Sequence, residues 1–125
     1  MSESMVLQKA IKFALRIVGV YKYLSNERQE FVLSKQLLRS GTSVGANYRA
    51  ACRAKSTADL LHKLSIVEEE ADESLYWMEL LIDAKIMPEN KLAILMNDLN
   101  EIIAMIVASI RTMRSKKLVV PKSKI

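Results

Sequence analysis

Asp59 and His62 stand three residues apart, the spacing that lets a carboxylate and an imidazole on one helix face reach a common metal ion. Glu69 and Glu73, four apart, also share a face. A di-iron bundle needs two Glu-x-x-His units and inward carboxylates from two further helices, and this chain has one histidine. The expected role of these acids is therefore a solvated or salt-bridged face, with no metal and no cofactor. Cys52 is the single cysteine, which excludes an internal disulfide. No glycine-rich elbow or orienting constellation accompanies Cys52 and His62 as a nucleophile and its base would require. Cys52, next to Ala50 and Ala51, reads as a small packing residue. No catalytic residue is assigned, and the protein is expected not to be an enzyme.

The basic residues offer a different chemistry. Arg39, Arg49 and Arg53 fall within about four helical turns and project from a similar side, with Lys55 and Lys63 nearby. Such a stripe can follow a phosphate backbone, releasing counterions and giving salt-dependent, weakly sequence-specific binding to RNA or DNA. The competing reading pairs these cations with Glu68, Glu69, Glu70, Asp72 and Glu73, within one chain or across subunits, and makes the partner a protein. The formal net charge of +5 conceals the segregation behind both readings: Met1–Lys63 carries a balance of +7, Leu64–Ile110 a balance of −8, and Arg111–Ile125 six cations and no acid.

The elements that position these residues are helices. Half of the residues are hydrophobic, with only three Gly and two Pro among 125, a composition that favours an all-α fold. Periodicity places the first helix at about 5–24, with Leu7, Ile11, Ala14, Val18 and Tyr21 in register. Ser25-Asn26 offers a cap before a second helix at about 27–54. Ser56 as N-cap and Asp59 at the third position open a third helix at about 56–86, through Leu60, Leu64, Val67, Ala71, Leu75, Met78 and Ile82. Pro88 and Glu89 open a fourth at about 89–115, where Leu92, Met96, Leu99, Ile103, Ile106, Ile110 and Met113 alternate steps of four and three. Residues 116–125 show no helical period and are expected to fray. Short connections make neighbours antiparallel, giving one domain, an up-down-up-down four-helix bundle.

Gly41 and Gly45 each cost roughly 1 kcal/mol in a helix interior, yet their spacing, with Ala46, Ala50 and Ala54 on a neighbouring stripe, suits close helix contact. They are assigned to an oligomer interface, together with Tyr76 and Trp77 on a third helix whose apolar surface exceeds what one bundle can cover. Charges are read as interrupting every apolar run, so no membrane span is expected. Met1-Ser2-Glu3-Ser4 lacks a signal-peptide layout, and the lone cysteine suits a reducing cytoplasm.

Gln36-Leu37-Leu38-Arg39-Ser40 leading into Thr42-Ser43-Val44-Gly45-Ala46-Asn47 resembles the bacterial four helix bundle proteins, also called 23S rRNA intervening-sequence proteins. The resemblance continues in Ser56 with Asp59-Leu60, in Lys63-Leu64-Ser65-Ile66-Val67, in Glu69-Glu70-Ala71-Asp72-Glu73 and in Leu75-Tyr76-Trp77-Met78-Glu79-Leu80-Leu81, over roughly Phe13 to Arg114. Many members carry an acid soon after the Ala-Asn pair, where this chain has Arg49-Ala50-Ala51. The resemblance implies an antiparallel bundle assembled into a homo-oligomeric ring, typically a pentamer, with no known catalytic residue or cofactor. The family is also similar to the accessory protein of diversity-generating retroelements, a basic ring associated with nucleic acid.

Overall fold

A computed structural model describes the backbone of residues 2–124 and the side chains of residues 5–115. Its elements are α1 (Ser2–Glu27), α2 (Leu33–Ala51), α3 (Thr57–Asp83) and α4 (Glu89–Lys124), with no strand among the described residues. Helices adjacent in sequence pack side by side, and α4 closes the ring by packing on α1, so the expected four-helix bundle is what forms.

The first boundary differs from expectation because Glu30, not Ser25-Asn26, starts the second helix. Ser25 stays inside α1, its hydroxyl donating to the Tyr21 carbonyl. The chain turns at Gln29, whose φ of 56° lies in the left-handed region, and the Glu30 amide reaches back to the Leu24 carbonyl at 2.9 Å. The Glu30 carboxylate then accepts from the amides of Val32 (3.0 Å), Leu33 (2.9 Å) and Ser34 (2.7 Å). It thereby satisfies donors that the first turn of a helix leaves open. Partial burial pushes its pKa up, but the bonds from Leu33, Ser34 and Val32 outweigh this and hold it below its ordinary value. At the opposite boundary, Ser56 accepts from the Asp59 amide at 3.0 Å as the capping pattern requires.

α2 is continuous through Gly41 and Gly45, and both glycines are buried. A Cβ at Gly41 would stand 3.0 Å from two side-chain carbons of Ile17, and one at Gly45 would stand 3.5 Å from the Ala10 Cβ. The glycines assigned to an oligomer interface bring α2 against α1 within the protomer, and Gly45 also borders a surface groove between these two helices. Between α2 and α3, the buried Ser74 hydroxyl donates to that of Ser40 at 2.9 Å, which in turn lies 3.4 Å from the Leu37 carbonyl. This satisfied polar pair fixes the register of two otherwise apolar faces.

In α1 the core takes one of two apolar stripes. The buried residues are Val6, Ala10, Phe13, Ile17 and Leu24. Leu7, Ala14 and Val18, which mark the helical period in the sequence, are half-buried, and Ile11 is 41% exposed. α1 carries two apolar stripes offset by one residue, and the one with Phe13 faces inward. In α4, Leu92, Leu95, Leu99, Ile102, Ile106 and Ile110 form the seam, with Met96, Ile103 and Met113 beside it.

The C-terminal part departs from the reading of its sequence at two points. α4 is helical to Lys124, where a frayed tail was expected after 115. No Gly or Pro interrupts the run before Pro121, and lysines suit the negative end of a helix dipole. Moreover, Glu89–Ser115 is long and apolar enough to cross a membrane by length and composition, although charges were read as interrupting every such run. Leu92, Leu95, Leu99, Ile102, Ile106 and Ile110 of that stretch are buried in the bundle core, and 28% of its most apolar window is buried.

Candidate nucleic-acid interface

Arg39 leans from α2 onto α3. Its guanidinium donates to Glu70 Oε1 at 3.1 Å and, closer, to Glu73 Oε2, while the Trp77 indole N–H donates to the same Glu73 oxygen at 3.0 Å. The Trp77 bond, then the Arg39 bond and charge, hold the Glu73 carboxyl below its ordinary range, and Arg39 is correspondingly raised. Two residues from the expected stripes thus work within the chain: Arg39 is an α2–α3 tie, and Trp77 is the half-buried donor that positions its acid.

Lys63 is engaged too. Its ammonium lies 2.9 Å from Asp59 Oδ2, one turn earlier on α3, and the same oxygen accepts the Lys55 amide at 3.1 Å. These bonds, led by that from Lys63, lower the Asp59 carboxyl. His62 is exposed beside this cluster, and among the described residues no group of three or more His, Cys, Asp or Glu converges on a metal position.

Arg49, Arg53 and Lys55 are different. All are exposed, and none makes an ion pair among the described residues. They occupy the end of α2 and the connection to α3. Arg111 and Arg114 on α4 are exposed and without an ion pair among the described residues as well. The antiparallel order brings these parts to one end of the bundle, because Val6 of α1, Ala51 of α2, Leu60 of α3 and Met113 of α4 line a common cavity of about 500 Å³. Cys52, expected as a packing residue, is exposed at the same cavity as the C-cap of α2.

The expected stripe along α2 is accordingly recast as a cationic pole. Arg39 and Lys63 leave it by neutralisation, and Arg111 and Arg114 enter it from α4. The signal for these two was present in the acid-free charge block after Ile110, but only the helix order shows which end of the bundle they join. Of the other interface candidates, Tyr76 projects outward with 55% exposure, its ring edge-on to Trp77 at 4.9 Å between centroids.

The class this geometry defines is a four-helix bundle with one cationic end. Residues 2–108 match the family model of the 23S rRNA-intervening sequence protein, and the chain belongs to that family. It is also similar, at 46% identity and a TM-score of 0.87, to a crystal structure of a protein of unknown function from the S23 ribosomal protein family of Bacteroides thetaiotaomicron, covering 89% of this chain and 99% of that one. No curated protein matches the sequence.

Proposed function

We propose that this protein is a non-enzymatic, self-associating bundle that binds the backbone of RNA or DNA through its cationic pole, in the cytoplasm. The observation that carries the reading is the exposure, at one end, of Arg49, Arg53, Lys55, Arg111 and Arg114 with no ion pair among the described residues, while Arg39 and Lys63 are neutralised. Membership of a family named for sequences within ribosomal RNA genes supports it. Phosphate contacts from flexible cations give affinity and little base specificity. Fluorescence anisotropy with a structured RNA and a duplex DNA across a salt series tests this. Affinity should fall steeply with salt, by a logarithmic slope of about 0.9 per phosphate neutralised on duplex DNA. Arg53→Glu/Arg111→Glu should abolish binding, and Arg39→Ala should leave it nearly unchanged.

A second reading, a structural module held to protein partners by charge, is favoured by one feature. Glu69, Asp72, Glu79 and Asp83 on α3 are exposed and make no ion pair among the described residues.

A further inference from the structure

The outer faces of α1 and α3 are both unusual for a protein surface, and they are unusual in opposite senses. On α1, the stripe that the core does not use remains outward. Leu7, Ile11, Ala14, Leu15 and Val18 line one wall of a groove of about 280 Å³, with Leu15 67% exposed. Thr42, Gly45, Ala46 and Arg49 of α2 form the other wall. The helical period continues the two walls to Lys22 on α1 and Lys35 on α2, both exposed. The antiparallel pairing that sets Gly41 on Ile17 and Gly45 on Ala10 brings Lys22 and Lys35 to the same end of the groove. An apolar floor is thus flanked by cations at both ends, with Arg49 at one and Lys22 and Lys35 at the other.

On α3, the residues diametrically away from the core are Glu69, Asp72, Tyr76, Glu79 and Asp83, all exposed. One aromatic ring sits in the middle of four carboxylates. From Glu69 to Asp83 this ridge measures about 21 Å, and the groove from Leu7 to Lys22 about 22 Å, at 1.5 Å rise per residue. The groove and the ridge lie on different sides of the bundle, so one protomer cannot satisfy both with itself.

We infer that the occupant of the α1/α2 groove is the α3 ridge of a second copy of this chain. Tyr76 of one protomer enters the apolar floor around Ile11, Leu15 and Ala46 of its neighbour. The carboxylates on either side of Tyr76 meet the cations at the groove's ends. The contact is heterologous, the ridge of each copy entering the groove of the next, and such contacts repeat around a closed ring when the rotation permits. Burial of the exposed Leu15 and Tyr76 supplies affinity, and the flanking charges set register. The inference rests on the self-association in the reading above and gives it a surface; it leaves Arg53, Lys55, Arg111 and Arg114 at the pole for nucleic acid.

Light scattering on the full chain tests it through two variants, Tyr76→Asp and Leu15→Glu, with circular dichroism as the control for folding. Wild type should run as one defined mass above the monomer, and each variant alone should fall to the monomer. Mixed in equal amounts, the variants should form a dimer and stop there, because one intact groove and one intact ridge remain between them. The charge-only variant Asp72→Lys/Glu79→Lys, which touches no packed side chain, should also lose assembly. A monomeric wild type, a Tyr76→Asp protein of unchanged mass, or a mixture that stays monomeric would each overturn the interface. Assembly that persists without RNA affinity supports the interface and removes only the nucleic-acid reading.

Discussion

Glu30 does with one carboxylate what Ser, Thr, Asp or Asn does at most helix starts, and its position two residues before the cap kept it from standing out in the sequence. Replacing it by Gln removes a charged acceptor from three amides. The cost should be about 1 kcal/mol, in line with lost caps elsewhere. The pKa of Glu30 is lowered on folding, so its stabilisation is present above the ordinary value of 4.5 and lost as pH falls through the lower folded value. Thermal melts should therefore separate wild type from Glu30→Gln at pH 7 and bring them together at strongly acidic pH. The two buried glycines give a contrasting pair. Gly45→Ala meets only ordinary contact with Ala10 and should gain up to about 1 kcal/mol of helix propensity. Gly41→Ala drives a methyl against Ile17 and should lose about 1–3 kcal/mol to overpacking, less whatever propensity returns. Denaturant midpoints should move in opposite directions.

At the level of elements, the existence of the fourth helix and the Ser56–Asp59 cap were readable, although Leu95 and Ile102 take core places where the pattern named Met96 and Ile103. α1 was readable as a helix, but it carries two apolar stripes, and periodicity cannot say which one a bundle selects. Phe13 and Ile17 decide it by filling the interior, leaving Ile11 and Leu15 outside. The glycines of α2 signalled close approach correctly but not its partner, since spacing carries no information about which helix arrives. Pairing of Arg39 with the acids between Glu68 and Glu73 was one of two readings the sequence left open, and the fold selects Glu70 and Glu73 for it; the Trp77 indole as a second donor to Glu73 carried no signal in the sequence. The α3–α4 connection holds a further opportunity. Lys85 adopts φ of 60° at the end of α3, with the Ile86 amide bonded to the Leu81 carbonyl at 3.0 Å. A side chain in this left-handed conformation costs about 1 kcal/mol or more, which glycine avoids. Lys85→Gly should raise the thermal midpoint, since the site is exposed and makes no ion pair among the described residues.

For the whole molecule, the charge blocks of the sequence were a sound guide to the existence of a cationic surface and a poor guide to its shape. Folding neutralises part of the α2 stripe on α3 and carries cations from α4 to the same end as Arg53 and Lys55. The account rests on that end meeting phosphate, and salt-dependent anisotropy on labelled RNA, wild type beside Arg53→Glu/Arg111→Glu, tests this most directly. Tight binding at low salt that weakens steeply as salt rises and disappears in the variant is the predicted result. Negligible binding by correctly folded wild type at low salt, or equal binding by the variant, would contradict it.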